Sequence, residues 1–179
     1  MRKGQTLLET VVALGIVTSA LIGVFTLVVN NLTTERAGST RMQAVNFARE
    51  ALEAVRAMRD SNWVAGHDTW EGIATGAEQS LVFYPASGGS SLFPGGEIAL
   101  YRLSSGLHVQ SSAEGVQTQF SRWVNVAKLE CSNLPTDAQA ACAALDLEKV
   151  GSRITAHVRW FEQGRQSEVN LTEDLYDWR

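Results

Sequence analysis

The chain has 179 residues, which suits one ordinary domain or a smaller domain with an appendage. With 45% hydrophobic and 19% charged residues, it is too apolar to be intrinsically disordered. The net charge is −4, and the 15 lysines and arginines are scattered rather than gathered in a stripe, so no direct nucleic-acid site is expected.

The first segment is apolar and long enough to cross a membrane. From Gln5 to Val29 the only charged residue is Glu9. As a helix these residues span roughly 37 Å, enough for a bilayer core of roughly 30 Å. Arg2 and Lys3 precede the segment, and the next positive charge is Arg36. The positive-inside rule therefore predicts a single-pass segment with a cytoplasmic N-terminus and the rest of the chain outside.

Three interpretations of this segment compete. It could be a plain membrane anchor, or a secretory signal peptide with a weak cleavage site at Thr18-Ser19-Ala20. Against the signal peptide, the apolar run continues through Val29, and a carboxylate inside such a segment is unusual. The third interpretation gives weight to Gly4 and to Glu9, the fifth residue after that glycine.

The third pattern resembles the type IV prepilin family, which includes pilins and the pseudopilins of type II secretion and DNA uptake. The resemblance is carried by the apolar helix and by the residues before it: Arg2, Lys3, Gly4, Thr6, Leu7, Leu8 and Glu9. It implies that a prepilin peptidase cuts between Gly4 and Gln5 and then methylates the new N-terminus. The family usually begins its mature chain with Phe or Met, and Gln5 departs from this pattern. Cleavage depends mostly on the glycine and is therefore still expected. Methylation of Gln5 stays open.

The resemblance also implies a role for Glu9. A carboxylate in a membrane segment costs several kcal/mol unless it is paired, and such residues are usually functional. After cleavage, the carboxylate could meet the new α-amino group of Gln5 in a neighbouring subunit, which would offset the cost and help to fix the axial register. The alternative is that Glu9 reaches the cytoplasmic headgroups and has no further role.

The helical pattern continues beyond the apolar segment. Between Thr33 and Arg59 there is no proline, and apolar residues recur at spacings of three and four: Met42, Val45, Ala48, Leu52 and Val55. We expect one helix from Gln5 to Arg59 whose amphipathic part packs on a globular head or, alternatively, on a coiled-coil partner. The turn-forming stretch Asp60–Trp63 is predicted to end it, and Trp63 and Trp70 to anchor the following loop.

The remainder is predicted to be β-structure. Leu81–Tyr84 is a short strand, and residues 85–97 form a flexible Gly/Ser/Pro loop. Ile98–Leu103 and Leu107–Val109 form a candidate hairpin. In later strands, alternation places two sets of residues on one face each: Phe120, Arg122, Val124 and Val126, and Ile154, Ala156, Val158 and Trp160. Gln163-Gly164 then turns the chain back into Val169 and Leu171.

These elements predict an α+β fold in which the long N-terminal helix packs on a small antiparallel β-sheet head, the layout of pilins. The predicted divisions are a leader (1–4), a transmembrane and assembly helix (5–30), its amphipathic continuation (31–60) and the β-rich head (61–179). The closing hairpin also resembles that of minor pilins and minor pseudopilins.

Few residues indicate chemistry. Cys131 and Cys142 lack the partners of a metal site, so a disulfide or two idle thiols is expected, and a disulfide if the head lies outside the cytoplasm. His67, Asp68 and Glu71 form only a weak candidate metal site. No nucleophile motif or phosphate loop is present, so we expect neither enzymatic activity nor a metal or cofactor.

The leading hypothesis is a minor type IV pilin-like subunit that enters the cytoplasmic membrane and then joins an extracellular filament. Its expected partners are the membrane, a prepilin peptidase, other pilin or pseudopilin subunits and an inner-membrane assembly platform. One alternative is a pseudopilin of a type II secretion or DNA-uptake system. Another is a membrane-anchored extracytoplasmic binding protein that does not assemble and that binds through the loop at residues 85–97.

Overall fold

The computed structural model describes residues 2–73, 76, 78–84, 89–110, 115–134, 136, 139, 142, 149–162 and 164–176. The chain divides into two compact units, Met1–Arg41 and Met42–Arg179. The first unit is helical wherever it is described, and the second contains the last part of the same helix and all seven described strands. The fold is α+β with an apolar N-terminal helix and an antiparallel sheet, as predicted.

Helix α1 runs from Arg2 to Ala65, so it extends beyond its predicted end. The residue that stops it is Gly66, whose φ of 74° lies in the left-handed region. The amides of Gly66 and His67 donate to the carbonyls of Trp63 (3.1 Å) and Asn62 (3.0 Å), the two bonds of a Schellman motif. The prediction was wrong because turn-forming side chains do not end a helix when a glycine cap follows a few residues later.

Seven antiparallel strands follow the helix. They are β1 (Glu78–Tyr84), β2 (Gly89–Pro94), β3 (Ile98–Arg102), β4 (His108–Val109), β5 (Val116–Glu130), β6 (Lys149–Glu162) and β7 (Arg165–Tyr176). A short 3-10 turn, Cys131–Asn133, follows β5. Most residues between Leu134 and Lys149 lie outside the described part of the chain.

Strand β5 is the centre of the sheet. One side of it pairs with β6, which pairs in turn with β7 through the predicted hairpin, from Glu162 opposite Arg165 onwards. The other side of β5 is shared by two strands, because its first part pairs with β3 and its later part with β1. The β3–β4 hairpin is also confirmed, with Leu103 N–H donating to Leu107 O at 2.8 Å.

Part of the predicted loop at residues 85–97 is a strand. Gly89–Pro94 pairs with β1 over its whole length, from Tyr84 opposite Gly89 to Gln79 opposite Pro94. The glycines and prolines concealed the short segment Ser90–Phe93, which can pair because β1 offers it a complete partner. Residues 85–88 lie outside the described part of the chain.

The core of the second unit lies between one face of α1 and one face of the sheet. The predicted alternation of β5 and β6 is confirmed, and both sets of residues are buried. The helix contributes Ala44, Phe47, Ala48, Ala51, Leu52 and Val55 to the same cluster. Trp70 packs against this core, as predicted, whereas Trp63, which was predicted to do the same, is 65% exposed.

Candidate functional site

The first candidate site is the apolar part of α1. From Leu7 to Leu32, the large apolar side chains of the first unit are 47% to 74% exposed, and they occur on every side of the helix. An 18-residue window of the helix has a mean hydropathy of 2.5. Among the described residues, this is the one helix long and apolar enough to cross a membrane. A single N-terminal helix of this kind is consistent with a single-pass membrane anchor.

The polar side chains of this segment are suited to an apolar environment. Hydroxyl groups donate to carbonyls one turn earlier in the same helix, as in Thr18 to Leu14 (2.8 Å), Ser19 to Gly15 (2.8 Å) and Thr26 to Ile22 (2.9 Å). Because these donors are satisfied within the helix, their transfer out of water costs little. The hydroxyls are therefore no obstacle to a membrane location.

Glu9 is the exception within this segment. Its side chain is exposed, and among the described residues nothing pairs with its carboxylate. Gly4 and Gln5 lie in the first turns of α1. Gln5 is four residues before Glu9, so the two positions lie on the same face, one turn apart. The carboxylate of Glu9 therefore lies about one helical turn after the predicted cleavage position.

The two cysteines form a second candidate site. Cys131 and Cys142 are joined in a disulfide, with their Cα atoms 5.8 Å apart, and Cys142 is buried. The amide of Gln139 donates to the carbonyls of Ser132 (3.1 Å) and Leu134 (2.7 Å), which braces the closed loop. The disulfide therefore has a structural role, because it holds the chain that follows β5 in place.

The weak metal candidate does not assemble into a ligand set. His67 Nδ1 lies 2.8 Å from Glu71 Oε2, and Asp68 Oδ1 accepts a hydrogen bond from the backbone of Trp70 at 2.9 Å. Each side chain therefore serves the turn after α1. In the part of the chain that the structure describes, no group of three or more His, Cys, Asp or Glu side chains could hold a metal ion.

Sequence reasoning missed the significance of Arg122. It lies on the inward face of β5 and is completely buried, next to apolar neighbours on the same face. Burial lowers the pKa of its guanidinium, against the opposing influence of Glu50. The sequence does contain a signal, because Arg122 occupies a position in the alternating pattern where an apolar residue is expected. The pattern alone does not show what such a residue contacts.

The outer face of the sheet carries a paired polar cluster around Trp123. Its indole ring stacks on the imidazole of His157 (centroids 4.8 Å apart, interplanar angle 4°), and the guanidinium of Arg159 lies 4.7 Å from its centroid. Glu168 accepts from Arg159 at 3.0 Å and lies 3.3 Å from His157, and Glu97 also pairs with Arg159. These charges satisfy one another, so the cluster stabilises the sheet rather than forming an open binding site.

No protein-family model matches the chain, and no curated protein or solved structure is significantly similar to it. The architecture itself, one long apolar N-terminal helix and an antiparallel sheet, is compatible with that of pilins.

Proposed function

We propose that the chain is a minor type IV pilin-like structural subunit, which a prepilin peptidase processes after Gly4 and which assembles through its apolar helix into a pilus. The observation that carries the proposal is Glu9, an exposed carboxylate that is the single charge between Gln5 and Val29 in the apolar part of α1. A carboxylate inside a membrane segment is costly unless it is paired, and Glu9 lies in the first turns of the apolar segment. We infer that this cost is offset by a contact that a single copy does not provide.

The partner group we propose is the α-amino group that cleavage would create at Gln5. Because Gln5 lies one turn before Glu9 on the same face, neighbouring helices offset by about one turn would bring the amine of one subunit to the carboxylate of the next. Such a pair, removed from water, is strong when both charges are satisfied. It would set the axial spacing between subunits, which the uniform apolar surface of the helix does not specify.

The proposed route has three stages. The chain is inserted once into the cytoplasmic membrane with its N-terminus inside, the peptidase removes Met1–Gly4, and an inner-membrane assembly platform transfers the helix into a filament with other pilin subunits. The exposed apolar side chains fit both environments, because the lipid bilayer and the centre of a helix bundle are equally free of water. The head would then form part of the filament surface.

The first step can be tested by mass spectrometry of the full chain expressed with and without a prepilin peptidase. We expect the peptidase to shorten the chain by four residues, so that its N-terminus is Gln5, and the same spectrum shows whether Gln5 is methylated. A Gly4→Leu variant should remain uncut. An unchanged N-terminus, or a cut at another peptide bond, contradicts the proposal at its first step.

The second step depends on Glu9. We expect Glu9→Gln, which keeps the shape but removes the charge, to lower the amount of cross-linked or filament-bound subunit at least about tenfold, equivalent to about 1.4 kcal/mol. The matched control is Glu35→Gln, because Glu35 is also exposed on α1 but lies after the apolar segment. The measurement is the subunit recovered in the sheared filament fraction relative to total membrane protein.

The same variant separates assembly from simple anchoring. If Glu9→Gln inserts as well as the original chain and nothing else changes, the chain is better explained as an anchored extracytoplasmic binding protein. The loop expected to bind a ligand in that case is shorter than predicted, because Gly89–Pro94 is a strand. A pseudopilin would also need Glu9, and it is distinguished by genes for a secretin and secreted hydrolases nearby, rather than a retraction motor.

A further inference from the structure

The guanidinium of Arg122 connects three elements of the head. Nη1 donates to the carbonyl of Phe47 in α1 (3.1 Å) and lies 3.4 Å from the carboxylate of Glu50, one turn further along the helix. Nε donates to the side chain of Gln110 (3.3 Å), whose amide donates back to the carbonyl of Arg122 (2.7 Å). Gln110 is itself buried and follows β4, so helix, central strand and hairpin meet at one side chain.

This arrangement is expensive in stability. Arg122 has no exposed surface, and its Nη2 atom has no hydrogen-bond partner in the described structure. Glu50, which pairs with it, remains 47% exposed, so the ion pair is not fully removed from water. Buried ion pairs are often no more stabilising than apolar residues of similar size, and their best-attested benefit is to select one arrangement among several.

The apolar packing around Arg122 leaves room for such a choice. Among the residues that α1 buries completely are four small ones: Ala44, Ala48, Ala51 and Val55. Small side chains make shallow ridges, so they oppose sliding of the helix along its axis only weakly. Phe47 and Leu52 are the larger side chains on this face, and both are buried, with 8% exposure each. A hydrogen bond to one particular helix carbonyl, by contrast, is lost as soon as the helix moves by a turn.

We propose that Arg122 is a positioning residue that fixes the axial register of helix α1 on the sheet of the head. Its donors recognise two points one turn apart on the helix, the Phe47 carbonyl and the Glu50 carboxylate, while Gln110 holds the guanidinium from the other side. This role does not depend on the proposed pilin function, because it concerns only contacts within the second unit.

Cysteine cross-linking of the full chain in detergent micelles tests the register. Arg56 on α1 pairs with Glu173 on β7, so a cysteine at each of these positions reports the observed register. Pairing Glu173→Cys with Glu53→Cys or with Asp60→Cys reports a helix displaced by about one turn in either direction. Cross-linked peptides are identified by mass spectrometry, so the Cys131–Cys142 disulfide can be kept.

With Arg122 present, we expect the pair at 56 and 173 to dominate. With Arg122→Met, which keeps the length but removes the donors, we expect the yield of a displaced pair to rise at least about fivefold. The matched control is Arg153→Met, because Arg153 is also on the sheet but forms an exposed ion pair with Asp174. The control should leave the cross-linking pattern unchanged.

Three outcomes overturn the proposal. One is an Arg122→Met chain that folds, by circular dichroism, and still gives only the pair at 56 and 173. If that variant does not fold, Arg122→Lys decides instead, because an ammonium group lacks the fixed fork in which Nη1 donates to the Phe47 carbonyl and Nε donates to Gln110. An unchanged pattern in the folded lysine variant, or a changed one in Arg153→Met, contradicts a specific role for Arg122.

Discussion

The two units of the molecule treat apolar residues in opposite ways. Met1–Arg41 exposes almost all of them: the valines, leucines and isoleucines of its helix are about half to three-quarters accessible. Met42–Arg179 buries its apolar residues between α1 and the sheet, and pairs the charges of its outer face with one another. The same helix takes part in both units, so the change occurs along one continuous element.

The two units are therefore stabilised by different surroundings. The head has its own hydrophobic core, and its stability comes from contacts within the chain. The apolar helix of the first unit has no such core, since its large side chains from Leu7 to Leu32 are 47% to 74% exposed. It needs lipid or other helices around it, which is what both a membrane anchor and a filament core supply.

A charge introduced into each unit should give the largest and most distinct effects. Val124 has no exposed surface and faces α1, so Val124→Asp should lower the free energy of unfolding of the head by more than about 4 kcal/mol. Val17→Asp in the apolar helix should leave that free energy unchanged but reduce membrane insertion, at a cost of about 2.5–3.5 kcal/mol. Denaturant titration of tryptophan fluorescence measures the first, and the carbonate-resistant membrane fraction measures the second.

The contrast between the two units is contradicted if Val124→Asp and Val17→Asp have similar effects on unfolding of the head and on membrane insertion. A Val17→Asp chain whose head unfolds at a lower denaturant concentration would show that the apolar helix stabilises the head. Val124→Ala provides a milder check, because it should destabilise the head without introducing a buried charge.

Two glycine substitutions, one in each unit, should change stability by smaller amounts. Gly38 lies inside α1 with open space around it, so Gly38→Ala should stabilise the helix by up to about 1 kcal/mol. Gly66 has the left-handed φ of the Schellman motif, so Gly66→Ala should destabilise the head by about 1 kcal/mol. Helical content and the thermal midpoint of the full chain measure both, and the same sign for the two variants would contradict the assignment of the helix end.

The sequence was informative where one physical pattern dominated. The alternation in β5 and β6 predicted their buried faces, because both strands have one face against the helix. Strand β2 was missed because its identity depends on pairing with β1, which neither segment shows alone. The sharing of one side of β5 by β1 and β3 was not predicted, for the same reason. Arg122 was placed on the correct face, but its contacts with Phe47 and Gln110 join residues that are distant in sequence.

The outer face of the head gives the smallest predicted effect. Hydrogen bonds from Arg153 hold the pKa of Asp174 below its usual range, against partial burial. Burial alone would raise the pKa of Glu168, but hydrogen bonds from Arg159, His157 and Asn170 together lower it. Both carboxylates therefore bind protons less readily in the folded chain than in the unfolded chain.

The sign of the pH dependence follows from these two directions. Groups with a lowered folded pKa add stability above their unfolded pKa, about 4, and this contribution is lost as the pH falls through the folded pKa. We therefore expect Asp174→Asn to destabilise the head slightly at pH 7, and the difference from the original chain to shrink at a lower pH, as Asp174 takes up its proton in the folded chain. Denaturant titrations at the two pH values measure this difference. Because the Arg153–Asp174 pair is partly exposed to solvent, added salt should reduce the stability difference between the variant and the original chain at pH 7. A difference that does not change with salt would indicate that packing, rather than charge, holds the outer face together.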